Sequence, residues 1–138
     1  MIVQTQTTSF KAELYEGIHD LLTDTIKIAL YTAYADLDAA TTAYITTNEV
    51  VGTGYVAGGN TLSGATVQTT GTTVYVSFNN TSWSGASFTC RGALIYNASK
   101  ANRSVAVLDF GNDKIVTNQT FTVEFPPNAA NSAIIRMN

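Results

Sequence analysis

From Thr25 to Asn138 the chain is a succession of short, threonine-rich apolar segments, each closed by glycine or asparagine. β-Branched and aromatic side chains fit a pleated, half-buried surface, while glycine and asparagine supply the backbone angles of tight turns. Residues 25–34 show the period directly. Ile26, Ile28, Leu30 and Thr32 fall on one side and Lys27, Ala29, Tyr31 and Ala33 on the other, which predicts a strand buried on at least one face. Further strands are expected at 61–69, 72–78, 87–96, 104–110 and 119–125, with 133–137 closing the chain. Between them lie Thr70-Gly71, Asn79-Asn80, residues 97–102, Gly111-Asn112-Asp113 and Pro126-Pro127-Asn128, all of turn composition. Strands joined by such short connections favour antiparallel pairing. The expected fold is mainly β, an antiparallel β-sandwich or a jelly-roll-like barrel.

Before Thr25 the pattern is different. Residues 1–8 are polar and threonine-rich, which predicts an extended N-terminal arm of the kind ordered by a neighbouring subunit. Ser9 is a helix-capping residue type, and Phe10, Leu14, Ile18 and Leu21 or Leu22 recur at helical spacing, opposite Lys11, Glu13, Glu16 and Asp20. One N-terminal amphipathic helix over about 9–22 follows, despite Gly17 within it. Residues 9–138 then form a single β-rich domain. Asp36-Leu37-Asp38-Ala39-Ala40 reads as a loop or one helical turn, and residues 44–47 as a short extended piece. Residues 52–60 hold four glycines, the composition of backbone in left-handed conformations or in close approach to another chain.

The chain has few reactive side chains to carry chemistry. Only 12% of residues are charged and the formal net charge is −3, which argues against nucleic acid as a partner, since that usually needs a basic patch. Met1-Ile2-Val3-Gln4 lacks the basic and apolar regions of a secretion signal, and no apolar stretch reaches membrane-spanning length, so synthesis in a cytoplasm is expected. Cys90 has no second cysteine to pair with and sits in an apolar run, as a small buried residue would. His19 has no clustered cysteine or histidine and reads as a capping or packing residue rather than a metal ligand. Asp36 and Asp38 lack the further ligands of a calcium loop and read as turn formers, with metal binding there left open. Asp109-Phe110-Gly111 spells a kinase tripeptide without the glycine-rich loop or catalytic loop that gives it meaning. Gly52-x-Gly54 and Gly58-Gly59 lack the strand, helix and distant acid of a dinucleotide site. No catalytic residue, cofactor or metal site is assigned. Tyr31, Tyr34, Tyr44, Tyr55 and Trp83 are of the types that stack on sugar rings, but also of the types that anchor cores and interfaces.

Several phrases in order along nearly the whole chain resemble a group of small virion structural proteins of tailed bacteriophages. They are Ser9-Phe10-Lys11 with Gly17-Ile18-His19, Lys27-Ile28-Ala29-Leu30-Tyr31-Thr32, and Thr42-Ala43-Tyr44 leading to Asn48-Glu49. Gly52-x-Gly54-Tyr55 with Gly58-Gly59, Ala93-Leu94-Ile95-Tyr96-Asn97 and Val105-Ala106-Val107-Leu108-Asp109-Phe110-Gly111 continue the series. The resemblance implies a non-enzymatic component of a virion, present in many copies or as a homo-oligomer. Its partners would be the major capsid protein or other virion proteins. A capsid decoration (cement) protein is the first expectation; a tail, baseplate or head–tail connector component is the alternative, and a receptor- or carbohydrate-binding module the third. Partner contacts are expected from the arm, the glycine loop and an exposed aromatic: Ile2, Val3, Gln4, Thr5, Tyr55 and Trp83.

Overall fold

In chain order the elements are β1 (Thr5–Gln6), α1 (Thr8–Tyr15), β2 (Ile26–Tyr31), β3 (Asn60–Thr61), β4 (Thr66–Thr70), β5 (Thr73–Ser77), β6 (Thr81–Asn97), β7 (Arg103–Val123) and β8 (Ile135–Met137). The computed structural model describes residues 1–125 and 133–137, and the turn expected at Pro126-Pro127-Asn128 lies outside the described residues. The fold is mainly β, with a five-stranded sheet ordered β1-β7-β6-β2-β3, a three-stranded sheet ordered β4-β5-β8 and one short helix near the N-terminus. Every strand pair is antiparallel. Among the described residues no helix is long and apolar enough to cross a membrane.

The alternation in β2 feeds two cores. Ile26, Ile28 and Leu30 join Ala93 and Ile95 of β6 and Ala106 and Leu108 of β7 in the larger one, which also takes Phe10 of α1 and Ile135 of β8. Ala29 and Tyr31 face the other way and pack with Leu94, Tyr96 and Val107 against Ile2, Ala35 and Leu37. The centre of the large sheet, where β2 meets β6 and β7, is therefore buried on both faces. One face is covered by helix and small sheet, the other by loop and by the chain's first residues.

That second covering changes the reading of residues 1–8. Thr5 and Gln6 are extended and Thr8 already begins the helix, but the segment lies on its own chain. Thr5 and Gln6 pair with Val107 and Ala106, Ile2 bridges Leu37, and Ile2 is only 7% exposed. Apolar contact by one side chain and hydrogen bonding by two backbone residues outweigh the segment's polar composition.

The helix is shorter than its periodicity suggests. Thr7, not Ser9, is the N-cap, its hydroxyl accepting from the Phe10 amide. Gly17 stops the helix at φ +72°, with its amide bonded to the Leu14 carbonyl and that of Ile18 to the Glu13 carbonyl. This paired closure is the usual end of a helix at a left-handed glycine. Ile18 and Leu21 continue the apolar pattern in a loop.

Strands also differ from expectation in length. β6 and β7 form one long hairpin where the sequence suggests shorter strands divided at Gly111-Asn112-Asp113. The extra residues are absorbed as bulges, with register shifts between Trp83 and Ala86, Ala86 and Phe88, and Cys90 and Gly92. Gly85, Asn118 and Gly111 take positive φ at these places, so the ladder bends and resumes instead of ending. The expected strand 61–69 is instead split into β3 and β4 at Gly64, whose φ is +67°. Residues 44–47 form no strand; their neighbour Ala43 makes an isolated bridge to Arg103.

Candidate functional site

Glu49 has the most unusual environment in the molecule. It is 7% exposed and sits among four tyrosines. Tyr44 donates to Oε1 at 2.6 Å, Tyr55 donates to Oε2 at 2.5 Å, and the Gly58 amide donates to Oε2 at 2.8 Å. Tyr55 in turn accepts from the Leu30 amide, Tyr96 donates to the Gly58 carbonyl, and Tyr31 donates to the Ile45 carbonyl. Burial, and after it the negative charge of Glu49, pushes the Tyr96 phenol up to about 12. Burial and the Glu49 charge likewise raise Tyr31, and burial with the hydrogen bond to Glu49 raises Tyr44 and Tyr55, further above the ordinary phenol range. Both carboxylate oxygens thus accept from donors within loop 43–59, and two of those donor residues, Tyr55 and Gly58, are in turn bonded to Leu30 and Tyr96 of the large sheet. The glycine loop's close approach is to this chain itself: a Cβ on Gly59 would lie 1.8 Å from the Ile28 carbonyl oxygen.

His19 is equally committed. Its Nε2 lies 2.8 Å from Glu13 Oε1, and its Nδ1 lies 3.0 Å from Asn97 Nδ2. The Asn97 amide is fixed, because Nδ2 also donates to Asp24 and Oδ1 accepts from the Ser99 amide. Nδ1 therefore accepts from Asn97, and Nε2–H donates to Glu13. Neither nitrogen is open to a substrate. The hydrogen bond from Asn97 is the first cause of a lowered Asp24 carboxyl pKa. The Cys90 side chain is buried and its thiol is pushed up to about 12 by that burial, far from the thiolate a nucleophile needs. Asp36 bonds the Met1 amino group at 2.6 Å, whereas Asp38 Oδ1 accepts from the Ala40 amide at 2.8 Å. In Asp109-Phe110-Gly111 the aspartate caps its own turn, accepting from the Gly111 amide.

The residues expected at a partner surface are divided between the interior and the surface. Tyr55 and Trp83 are 8% and 5% exposed, and their rings lie 6.1 Å apart in an aromatic cluster with Phe88 and Phe121. Little of either ring reaches the surface. Ile2 belongs to the second core, Thr5 is half-buried in the sheet, and Gln4 uses its side-chain oxygen to accept from the Asp109 amide. Of the six, Val3 presents the most apolar surface, at 45% exposure.

Open apolar surface is found elsewhere. A groove of about 540 Å³ runs between α1 with its following loop and the small sheet. Phe10, Leu14, Leu21 and Leu22 line one wall, and Val67, Val74, Val76, Ile135 and Met137 line the other. Leu22, Val67, Val74 and Met137 are each at least 40% exposed. The register explains the second wall: Val76 stands opposite Val67 and Ile135, and Val74 opposite Met137, so all five side chains project from one face. In sequence the alternation of Val74 and Val76 about Tyr75 is the visible trace of this face. Comparison of the chain with protein-family models, curated proteins and solved structures finds no match.

Proposed function

We propose that the chain is a non-enzymatic structural protein of a tailed-bacteriophage particle and that it decorates the capsid, bridging capsid subunits from outside. The observation that carries this reading is the open apolar groove beside α1, a surface suited to seating a segment of another protein. Two further facts support it. The side chains best equipped for chemistry, Glu49, His19 and Cys90, are spent on holding the fold, and the phrase-by-phrase likeness to small virion proteins runs through the same strands. A protein that binds only the assembled shell stabilises that shell by mass action, and this suffices as a mechanism. The groove would form the apolar centre of a contact, within a total buried area above about 1,000 Å².

Copy number in purified particles tests the placement. Hundreds of copies per particle are expected; a few dozen confined to one vertex or to the tail would move the protein to a connector or tail role. Complete absence from particles would end the virion reading. In the groove, Leu22→Asp and Val74→Lys replace exposed side chains, so folding should survive while incorporation into particles drops. Specific binding on a glycan array would instead favour a receptor-binding module.

A further inference from the structure

We propose that two copies of this chain pair edge to edge through β4, about a twofold axis at Gln68. This goes beyond the particle reading and does not depend on it. An edge strand presents unpaired amides and carbonyls, and proteins normally defend such edges with charges, prolines, bulges or very short strands. Among the described residues, the outer strands other than β4 are defended. β1 and β3 are two residues long, and the three-residue β8 has its Arg136 carbonyl covered by the Gln6 side chain at 2.8 Å. The long outer margin of β7 is bent by Gly111 and Asn118 and carries Asp113 and Lys114. β4 has none of these devices: its sequence is Thr-Val-Gln-Thr-Thr, all five residues are exposed, and its pairing with β5 runs without a bulge.

The hairpin fixes which backbone groups point outward. Thr70 and Thr73 close a two-residue turn in which Gly71 has φ +58°, so they are a hydrogen-bonded pair. Alternation then directs Thr66, Gln68 and Thr70 toward β5 and leaves the amides and carbonyls of Val67 and Thr69 facing out. These two residues are symmetric about Gln68. A second copy related by a twofold axis there sets each Val67 against Thr69 of the other copy and forms four backbone hydrogen bonds. The β4 strand carries no charge, so two copies bring no like charges together, and it offers no charge code by which a foreign strand would be chosen. The twofold also keeps the valine faces on one side, continuing the apolar surface of Val67 and Val74 across a six-stranded sheet. A five-residue strand contact is smaller than the about 1,000 Å² of a stable complex, so the dimer should be weak and form only at high concentration.

Sedimentation of the 138-residue chain across a concentration series tests this, together with cysteine placement. Gln68 pairs with itself at a site without backbone hydrogen bonds, where Cα atoms approach to about 4.5 Å, close enough for a disulfide. Gln68→Cys should oxidise to a linked dimer at least tenfold faster than Thr72→Cys in the turn. Thr69→Pro removes an outward amide, which an edge strand tolerates, and should abolish dimerisation with the circular dichroism unchanged; Val67→Lys, placing like charges across the axis, provides a second variant. A chain that stays monomeric to about 1 mM, equal cross-linking at positions 68 and 72, or a dimer that survives both edge variants in folded form would overturn the proposal.

Discussion

A carboxylate as enclosed as Glu49 is tolerated because both of its oxygens meet donors, one at Oε1 and two at Oε2. Removing the acid should therefore cost more than removing any one donor. Glu49→Ala is expected to lower unfolding free energy by about 3 kcal/mol or more, because it strands two phenols and an amide. Tyr55→Phe should cost about 2 kcal/mol, since it orphans the Leu30 amide and takes one bond from Glu49. Urea denaturation of the two variants measures both. The tyrosines also set an alkaline limit. Their folded pKa values lie above the ordinary phenol value of about 10, so the stability they contribute is fully present below that pH. It is lost as pH rises through the folded values, about 12 in the case of Tyr96. Unfolding free energy should fall steeply above pH about 10, and ultraviolet titration should show Tyr31, Tyr44, Tyr55 and Tyr96 ionising only as the fold opens. None of this cluster was legible beforehand. The tyrosines stood out in the sequence, but a single glutamate beside Val50-Val51 looks like a loop residue until Tyr96 arrives from a distant strand.

At the level of elements, two glycines with similar backbone angles make opposite demands. Gly17 has φ +72° and open space where a Cβ would be, whereas Gly59 has φ +76° and a carbonyl oxygen at 1.8 Å from that position. Gly17→Ala should cost about 1 kcal/mol, the price of one left-handed residue. Gly59→Ala must push β2 and its loop apart and is expected to leave little folded protein, a contrast that thermal denaturation and soluble yield would expose. Period-two alternation correctly located β2, β5 and the cores of β6 and β7, because side-chain burial imposes that pattern whatever the partner strand. It gave false ends where Gly85, Gly111 and Asn118 sit, since a bulge and a turn use the same residue types. The helix was overextended for a related reason: Ile18 and Leu21 keep the apolar spacing although Gly17 has already ended the hydrogen bonding. The valine wall of the groove went unread because the match of Val67 with Val76 and Ile135 is a property of register, which local sequence does not carry.

The molecule as a whole is layered unevenly, with regular structure over one face of the large sheet and irregular chain over the other. Residues 1–6 are part of that second cover, so deleting them should unsettle the body rather than trim an arm. Burial of Ile2 alone corresponds to about 1.5–3 kcal/mol, and the pairing with β7 adds to it. A chain lacking residues 1–6 is expected to melt several degrees lower, and its failure to enter particles would then report lost stability and not a lost contact. Calorimetry on the isolated protein separates the two. The mainly β class and its antiparallel connections could be read from composition and spacing, whereas the destination of the N-terminus could not, because a two-residue strand is too short to leave a periodic trace. Its position has a consequence for how the protein is born. Thr5 and Gln6 emerge from the ribosome ahead of Val107 and Ala106, which they pair with and which follow some 100 residues later. At bacterial and eukaryotic synthesis rates that is a wait of about 5–20 s. Made well before their partners, these two residues stay unpaired through that interval, and the β1 margin of the sheet is sealed only once β7 has been synthesised.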